Sequence, residues 1–227
     1  MVVDWVPSMK GIQLKYIPTF ILTTDKDDIM LNFLKFTTER AAKSSAPIIF
    51  NSFDALEHDV LEDILKIVVG PIYNIGPMQL QLNNVSDDAA VKSLGSNLWK
   101  EDSTCFEWLD SKKPKSVVYV SFGSITTMTN ENLIEFAWGL ANKQQTNCWF
   151  SFEKWGIGME IDNDVRRSEV ERQVRELMED KRGEEMASKA LEWKKLAEEA
   201  LATPSGSSYL DFEKLVNQEV LSLKKVK

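Results

Sequence analysis

Residues 117–124, VVYVSFGS, indicate the fold class of this chain. The nearly continuous apolar run is typical of a strand in a parallel sheet that is covered on both faces. The small residues of SFGSITT follow it, and then a helical pattern in TNENLIEFAWGLAN at 129–142. Strand, tight turn and helix in this order predict the first half of a βαβ unit and therefore an α/β fold.

The turn after this strand is a candidate ligand site. In open parallel sheets, ligands bind outside the carboxyl ends of the strands. Gly123 allows a ligand to approach the backbone, and the Ser124 hydroxyl beside a helix N-terminus can hold a phosphate. The alternative is that these small polar residues only end the strand and cap the helix, and an isolated SFGS motif does not decide between the two.

The N-terminal third shows the same alternation of helix and strand. Its predicted elements are a helix at 25–45, a strand at 46–52, a helix at 54–68 and a strand at 70–77. Thr24 and Asp25 are the candidate caps of the first helix, because Ser, Thr, Asp and Asn accept hydrogen bonds from free N–H groups there. The polar stretch that follows is predicted to be a linker or an exposed loop.

The C-terminal third is predicted to be helical. Ser168 and Glu171 have the spacing of a capping box, Gly183 is expected to end that helix, and a helix in EEMASKALEWKKLAEEA and a last helix after TPSG follow. For 145–155 the composition allows a strand. Phe152 and Trp155 nevertheless share one helical face with Cys148, so we predict a helix.

Composition limits the partners and the compartment. The 27 Lys and Arg against 35 Asp and Glu give a net charge of −8, which argues against nucleic acid or an anionic membrane as partner. No targeting or membrane-spanning segment is predicted. The two cysteines, Cys105 and Cys148, form neither a CxxC motif nor a disulfide framework, so we expect a cytoplasmic protein without a metal site.

Several long segments resemble one enzyme family. They are WLDSKKPKSVVYVSFGSITTMTNENLIEFAWGLAN, DWVPSMKGIQLKYIPTFILTTDKDDIMLNF, IIFNSFDALEHDVLEDI, YNIGPMQLQLNN, WGIGMEIDNDVRRSEVERQVRELM and ALEWKKLAEEALATPSGSSYLDFEKLV. They are similar to plant family 1 UDP-dependent glycosyltransferases, in the branch with cyanohydrin and iridoid glucosyltransferases. Members of this family transfer glucose from UDP-glucose to small hydroxylated metabolites without a metal.

The resemblance implies an α/β fold of incomplete GT-B type, with remnants of two Rossmann-like domains and a helical C-terminus. Residues 1–80 would be the tail of the acceptor-binding domain, 81–102 a linker, and 103–203 an incomplete UDP-sugar-binding domain. Residues 204–227 would form a C-terminal helix that packs back toward the N-terminal part. The chain is expected to be truncated at its N-terminus and to lack most of the family's HCGWNS signature box.

The resemblance also assigns roles to individual residues. Ser124 would contact the diphosphate, Gly123 would permit its approach, and Gln144 would be the last residue of the signature box. The acid that precedes this glutamine in the family is Lys143 here, which cannot accept a hydrogen bond from a sugar hydroxyl, so Gln144 is at least as well explained as a loop residue. The catalytic histidine of the family and its aspartate have no counterpart.

The single histidine of the sequence, His58, is flanked by acids on a predicted helix surface and is expected to be solvated, not catalytic. Two hypotheses about function therefore stay open. The chain is a UDP-glucosyltransferase, either by lineage only or in working form with a partner chain that supplies the missing parts, or it is a noncatalytic polypeptide that at most binds other chains through apolar surface. A dinucleotide-dependent oxidoreductase is excluded, because the sequence contains no GxGxxG motif after a strand.

Overall fold

The computed structural model describes residues 1–18, 20–85, 103–113, 116–117, 149–160 and 167–222, and all structural statements refer to these residues. The chain divides into two compact units. The first comprises residues 1–85, 144–157 and 189–227, and the second comprises residues 86–143 and 158–188. The domain boundaries derived from the sequence stay predictions.

The first unit opens with a short antiparallel ladder. β1 (Val2–Val3) pairs with β2 (Ile12–Gln13), and 3-10 turns lie at Pro7–Met9 and Leu14–Tyr16. A cluster of four buried side chains forms the core of this part: Val3, Ile12, Tyr16 and Trp149. Because Trp149 is far from the other three in sequence, the aromatic segment around it fixes the N-terminal ladder to the rest of the unit.

Helix α1 spans Ile29–Lys43 and is capped by Asp28, whose carboxylate accepts a hydrogen bond from the Leu31 N–H at 2.9 Å. The prediction of Thr24 or Asp25 as the cap is therefore wrong. The Asp25 carboxylate instead accepts from the Asp27 N–H at 3.0 Å. Because the Asp25 carboxylate is already bonded within this local turn, it is not available to the helix N-terminus. Asp28 lies directly before the helix and accepts the N-terminal hydrogen bond instead.

A parallel βαβ unit follows α1. β3 (Ile48–Phe50) leads into α2 (Asp54–Leu65), and β4 (Ile72–Asn74) then pairs with β3 in parallel, with Ile48 opposite Ile72. The two strands and the helix predicted for this region are confirmed. The parallel pairing makes this part of the chain an α/β structure, whereas the strand predicted at VVYVSFG lies almost wholly outside the described residues.

Beyond β4, the described part of the chain is helical, with α3 (Met78–Val85), α4 (Thr104–Asp110), α5 (Arg167–Glu179), α6 (Lys181–Ala200) and α7 (Ser207–Leu215). The irregular structure predicted from residue 81 onward is wrong for 81–85, because α3 continues through them. Helices α5, α6 and α7 lie in the C-terminal third, which was predicted to be helical. In the described ranges, none of the helices has the length and apolar character needed to cross a membrane.

The C-terminal helices complete the core of the first unit. Ala197 and Ala200 at the end of α6 pack against Phe53, which precedes α2. Leu215 of α7 packs against Tyr73 and Ile75, at and just beyond the end of β4. The small alanine side chains allow close approach of α6 to the loop before α2, and the apolar stripe of α7 covers β4.

In the second unit, the joint between α5 and α6 differs from the prediction. Gly183 was expected to end a helix, but it lies in the first turn of α6, and its N–H donates to the Asp180 carbonyl at 3.0 Å. A Cβ at Gly183 would collide with the Leu177 carbonyl. The glycine is therefore required for the close approach of the two helices and not for a helix end.

The start of α5 also differs from the prediction. The capping box of Ser168 and Glu171 does not form, because the helix already begins at Arg167 and Ser168 lies within its first turn. Side-chain bonds hold this turn instead. Gln173 Nε2 donates to the Glu160 carbonyl at 2.8 Å, and Arg172 pairs with Glu169 at 2.6 Å.

The segment predicted as a helix at 145–155 is helical in its described part. A π-helical turn spans Phe150–Lys154, and the Trp155 N–H donates to the Phe150 carbonyl at 2.8 Å. The rings of Tyr16 and Phe152 lie 5.9 Å apart, which packs this turn onto the N-terminal ladder. The helical interpretation is therefore confirmed for residues 149–154, whereas Cys148 lies outside the described residues.

Candidate functional site

The three predicted donor-site residues, Gly123, Ser124 and Gln144, lie outside the described residues. Their roles in binding a UDP-sugar stay predictions. The candidate site that the structure does describe lies in the first unit. It is an open groove of about 590 Å³ between the Pro7–Met9 turn, α2 and the π-helical turn.

The groove has mainly apolar walls. Helix α2 and the residues after it contribute Val60, Ile64 and Ile67, which are spaced by three or four residues and therefore share one helical face. Trp5 and Met9 line the groove from the N-terminal segment, and Phe150 and Trp155 from the π-helical turn. The volume lies within the range of about 300–1,000 Å³ that is typical of small-molecule sites.

Asp63 is the polar anchor of this groove. One carboxylate oxygen accepts the Ser8 backbone N–H at 2.8 Å, and the other accepts Lys66 Nζ at 2.8 Å. The hydrogen bonds from Lys66 and Ser8 lower the pKa of Asp63 to about 2. The carboxylate is therefore ionised at neutral pH, and it ties the wall that carries Trp5 and Met9 to helix α2.

A smaller cavity of about 190 Å³ adjoins the groove, and the two share Ser8, Phe150 and Trp155 in their walls. Trp193 of α6 also lines this cavity. Its indole Nε1 donates to the Trp155 carbonyl at 3.0 Å. This hydrogen bond fixes the end of the π-helical turn against α6. It therefore stabilises the wall that the groove and the cavity share.

His58 lines the smaller cavity but has both ring nitrogens near carboxylates of its own helix. Nδ1 lies 3.0 Å from Asp54 Oδ1, and Nε2 lies 3.4 Å from Glu62 Oε1. The hydrogen bond with Asp54 and the nearby negative charges raise the pKa of His58. The side chain is 57% exposed. The exposed, acid-flanked histidine expected from the sequence is what the structure shows.

The chemistry that this site supports is binding. In the described ranges, no three side chains of His, Cys, Asp or Glu are grouped so that they could hold a metal ion. The groove offers a large apolar surface and two carboxyl groups, Glu57 and Asp63, of which Asp63 already has two partners. It therefore suits an uncharged molecule with an apolar body more than it suits a phosphate.

Sequence reasoning did not find the groove. Trp5, Val60 and Trp155 come from three segments separated by dozens of residues, and no periodic pattern connects them. A signal was nevertheless present on α2. The apolar residues Val60, Ile64 and Ile67 recur at helical spacing, and they indicated a covered face without indicating which segment would cover it.

Two curated relatives match nearly the whole chain. The 7-deoxyloganetin glucosyltransferase of Catharanthus roseus is 42% identical over 294 residues, which cover 95% of this chain and 60% of the relative. The (R)-mandelonitrile beta-glucosyltransferase of Prunus dulcis is 39% identical over 300 residues, which cover 97% and 62%. Each alignment is longer than the 227 residues of the chain, so segments within the relatives have no counterpart in it.

Solved structures show the same fold. UGT2 of Phytolacca americana, complexed with UDP-2-fluoro-glucose and pterostilbene, has a TM-score of 0.66 at 18% identity and matches 86% of this chain and 57% of its own. Os79 of O. sativa, in complex with UDP, has a TM-score of 0.60 at 21% identity and matches 74% and 55%. No family model matches the chain.

The similarities agree at the levels of sequence and fold. The relatives are plant UDP-glycosyltransferases, and the structural neighbours have the GT-B fold. The chain spans about three fifths of the length of the curated relatives it matches. It belongs to the plant UDP-dependent glycosyltransferases, and its described part is a mostly helical α/β portion of the GT-B fold.

Proposed function

We propose that this chain takes part in the transfer of glucose from UDP-glucose to a hydroxyl group of a small plant metabolite. The names of its relatives support this proposal, since they describe glucosyltransferases that act on 7-deoxyloganetin and mandelonitrile. The observation that carries it is the apolar groove of about 590 Å³, which suits the body of such an acceptor. We place the reaction in the cytoplasm, in keeping with the cysteine content.

In this proposal the groove binds the apolar part of the acceptor. Val60 and Ile64 would contact an aromatic or terpenoid ring from one side, and Trp155 from another. Aromatic walls favour flat ligands, because stacked or edge-on rings are stabilised beyond their buried area. The ionised Asp63 stays paired with Lys66 and Ser8, and so holds the walls without taking a proton from the acceptor.

The donor is proposed to bind at the SFGS turn. Ser124 would donate a hydrogen bond to the diphosphate, Gly123 would leave room for it, and Gln144 would reach the sugar. UDP itself is a good leaving group, so the proposed reaction needs no resident metal or other cofactor. These assignments rest on the resemblance of the motif.

The proposed reaction also needs a base that removes the proton of the acceptor hydroxyl. His58 is the single histidine of the sequence, and carboxylates occupy the neighbourhood of both its ring nitrogens. We therefore propose that the chain alone is inactive and that another polypeptide segment supplies the base. This observation equally supports the second candidate, a noncatalytic polypeptide that acts through association.

The groove can be tested by the intrinsic fluorescence of its tryptophans. Titration with mandelonitrile should quench the emission of the 227-residue chain saturably, because Trp5 and Trp155 line the groove. Ile64→Lys puts a charge into the apolar wall and should weaken binding about ten-fold or more. Leu65→Lys is the matched control, because Leu65 is 56% exposed and does not line the groove.

Two results would contradict the assignment of the groove. One is the absence of saturable quenching in the unsubstituted chain. The other is equal loss of binding in Ile64→Lys and Leu65→Lys, which would mean that any added charge on α2 disturbs the fold. Far-ultraviolet circular dichroism of both variants separates that second case from a specific effect.

A further inference from the structure

The smaller cavity beside the groove combines aromatic rings with carboxylates. Three aromatic side chains line it, Phe150, Trp155 and Trp193, and helix α2 contributes Glu57 and Asp59 to the same walls. The face of an aromatic ring attracts a cation, and indole attracts it most strongly. Carboxylates beside such rings add to this attraction and repel an anion. The walls of the cavity therefore favour a positively charged ligand.

The aromatic wall is fixed by contacts within the protein. The ring centroids of Phe150 and Trp155 lie 5.8 Å apart, with the ring planes inclined by 36°. Trp193 Nε1 donates a hydrogen bond to the Trp155 carbonyl at 3.0 Å, and the Trp193 side chain packs against the buried cluster that contains Phe53. Because these contacts already order the rings, binding of a ligand costs little additional conformational entropy.

Glu57 supplies a negative charge that is not neutralised. The residue is half-buried, and it lines both the cavity and the groove. Within the described ranges its carboxylate forms neither a hydrogen bond nor an ion pair, whereas Asp63 on the same helix has two donors. A half-buried charge without a partner is costly, and a bound cation would lower that cost.

Lys154 also lines the cavity, but its ammonium group contacts a ring outside the walls. Nζ lies 5.6 Å from the centroid of the Trp149 ring, which is within the range of a cation–π interaction. The residue that precedes the π-helical turn thus already holds an ammonium group on its ring. The Lys154 charge opposes a second cation in the cavity, and removing it should strengthen binding.

His58 does not make the cavity positive. Its Nδ1 lies 3.0 Å from Asp54 Oδ1 and its Nε2 lies 3.4 Å from Glu62 Oε1. These two carboxylates more than offset the single charge of a protonated imidazole. The two acids in the walls likewise exceed the one charge of Lys154, so the surroundings of the cavity carry a net negative charge.

We propose that the smaller cavity binds a small quaternary ammonium ion between the Glu57 carboxylate and the rings of Trp155 and Trp193. A quaternary nitrogen has no N–H group and needs ring faces and negative charge in place of several hydrogen-bond acceptors, which matches these walls. The cavity measures about 190 Å³. A cavity of roughly 150 Å³ accepts benzene, and a trimethylammonium group is of similar size. The inference does not rest on the proposed glucose transfer, whose acceptor is placed in the groove.

A comparison of choline with its neutral isostere tests the proposal. Titration of the 227-residue chain with choline should shift the indole N–H resonances of Trp155 and Trp193 saturably, because both residues line the cavity. The isostere is neohexyl alcohol, which has a tert-butyl group where choline has trimethylammonium. It should bind about ten-fold more weakly or less, because it has the shape of choline without the charge.

Two variants should change the affinity in opposite directions. Glu57→Gln keeps the shape of the side chain, and it should weaken choline binding about ten-fold and leave the binding of the alcohol unchanged. Lys154→Met keeps most of the apolar stem and should strengthen choline binding about two- to five-fold. The matched control is Glu153→Gln, since Glu153 is an exposed acid of the π-helical turn that does not line the cavity. This control should change the affinity by less than about two-fold.

Three results would overturn the proposal: no saturable shift with choline, equal affinity for choline and the alcohol, or equal weakening by Glu57→Gln and Glu153→Gln. The second would mean that the cavity accepts any apolar group, and the third that only the overall charge matters. If Glu57→Gln does not fold, as judged by circular dichroism, the comparison of the two ligands and the gain in Lys154→Met still decide. None of these measurements depends on glucose transfer, so a failed transferase assay leaves this inference intact.

Discussion

At the scale of single residues, Asp63 joins two segments that are distant in sequence. Its two carboxylate oxygens accept from Ser8 of the N-terminal turn and from Lys66 at the end of α2. A charged acceptor with two donors makes stronger hydrogen bonds than a neutral one. The position of Trp5 and Met9 along the groove therefore depends on the ionisation of one side chain.

Asp63→Asn should remove the acid-sensitive part of this link. Because the folded-state pKa of Asp63 is lowered to about 2, its contribution to stability is complete above the unfolded pKa of roughly 4 and is lost as the pH falls toward 2. The wild-type chain should therefore lose more stability than Asp63→Asn between about pH 4 and pH 2. Urea unfolding followed by tryptophan fluorescence measures the difference.

The control for Asp63→Asn is Asp59→Asn, which removes one negative charge from an exposed position of the same helix. At neutral pH, Asp63→Asn should lower the urea midpoint while Asp59→Asn leaves it nearly unchanged. Parallel acid titrations of wild type and Asp63→Asn would contradict the role assigned to Asp63. They would mean that Lys66 and Ser8 find other acceptors.

At the scale of elements, the last helix is attached to the sheet by polar bonds as well as by apolar packing. The Tyr73 hydroxyl donates to Gln218 Oε1 at 3.1 Å and lies 2.9 Å from Glu219 Oε1. The Asn74 N–H donates to Asp211 Oδ2 at 3.1 Å. Burial and the neighbouring carboxylate of Glu219 raise the pKa of Tyr73, so the hydroxyl stays protonated and keeps donating.

Tyr73→Phe should loosen the π-helical turn Val216–Val220 without unfolding the helix before it. The variant keeps the buried ring, which is 3% exposed, and loses only the hydroxyl. One lost hydrogen bond to a carboxylate costs about 1.5–3 kcal/mol. Hydrogen exchange of the amides at 216–222 should accelerate, with little change at 207–213.

The matched control is Tyr209→Phe, which removes a hydroxyl from α7 itself. No hydrogen bond of this hydroxyl occurs among the described residues, so stability and exchange should stay close to wild type. If both variants accelerate exchange equally, the bonds of Tyr73 do not hold the turn and apolar packing of Leu215 suffices.

The positions of the helices were predictable from the sequence, whereas the residues at their ends were not. Periodicity identified α1, α2 and α6 because each has apolar residues at helical spacing. The residues that begin and end helices were predicted less well. Asp28 caps α1 where Thr24 or Asp25 was predicted, and Gly183 allows two helices to pack closely where it was predicted to end a helix. Such choices depend on which atoms lie nearby after folding, and local residue type does not contain that information.

The groove lies beyond sequence prediction for a similar reason. Its walls bring Trp5, Val60 and Trp155 together from three segments. A motif such as VVYVSFGS can be recognised because its residues are contiguous in the sequence. A site assembled from distant segments can be recognised only when the tertiary contacts are known. The family resemblance supplied the fold and the expected donor residues, and it did not indicate this groove.

At the scale of the whole molecule, the described part of the chain contains a groove with the carboxyl groups of Glu57 and Asp63 in its walls. The groove is apolar, and Asp63 and His58 both have partners. The relatives extend well beyond the chain, since it covers 60% of the C. roseus enzyme.

The chain alone should not transfer glucose. A base must lie within roughly 3 Å of the acceptor hydroxyl, and His58, the single histidine of the sequence, lies 3.0 Å from Asp54 and 3.4 Å from Glu62 and does not line the groove. Without a positioned base and donor, the rate falls by several orders of magnitude. Incubation of the purified chain with UDP-glucose and mandelonitrile, followed by mass spectrometry, should reveal no glucoside.

The design of this assay distinguishes inactivity from contamination. Any glucoside should disappear with further purification and stay unchanged in His58→Ala. Turnover that persists through purification and is lost in His58→Ala would show that the imidazole reaches the acceptor. That result would require His58 to leave Asp54 and turn into the adjoining cavity of about 190 Å³, which would then be the reaction site.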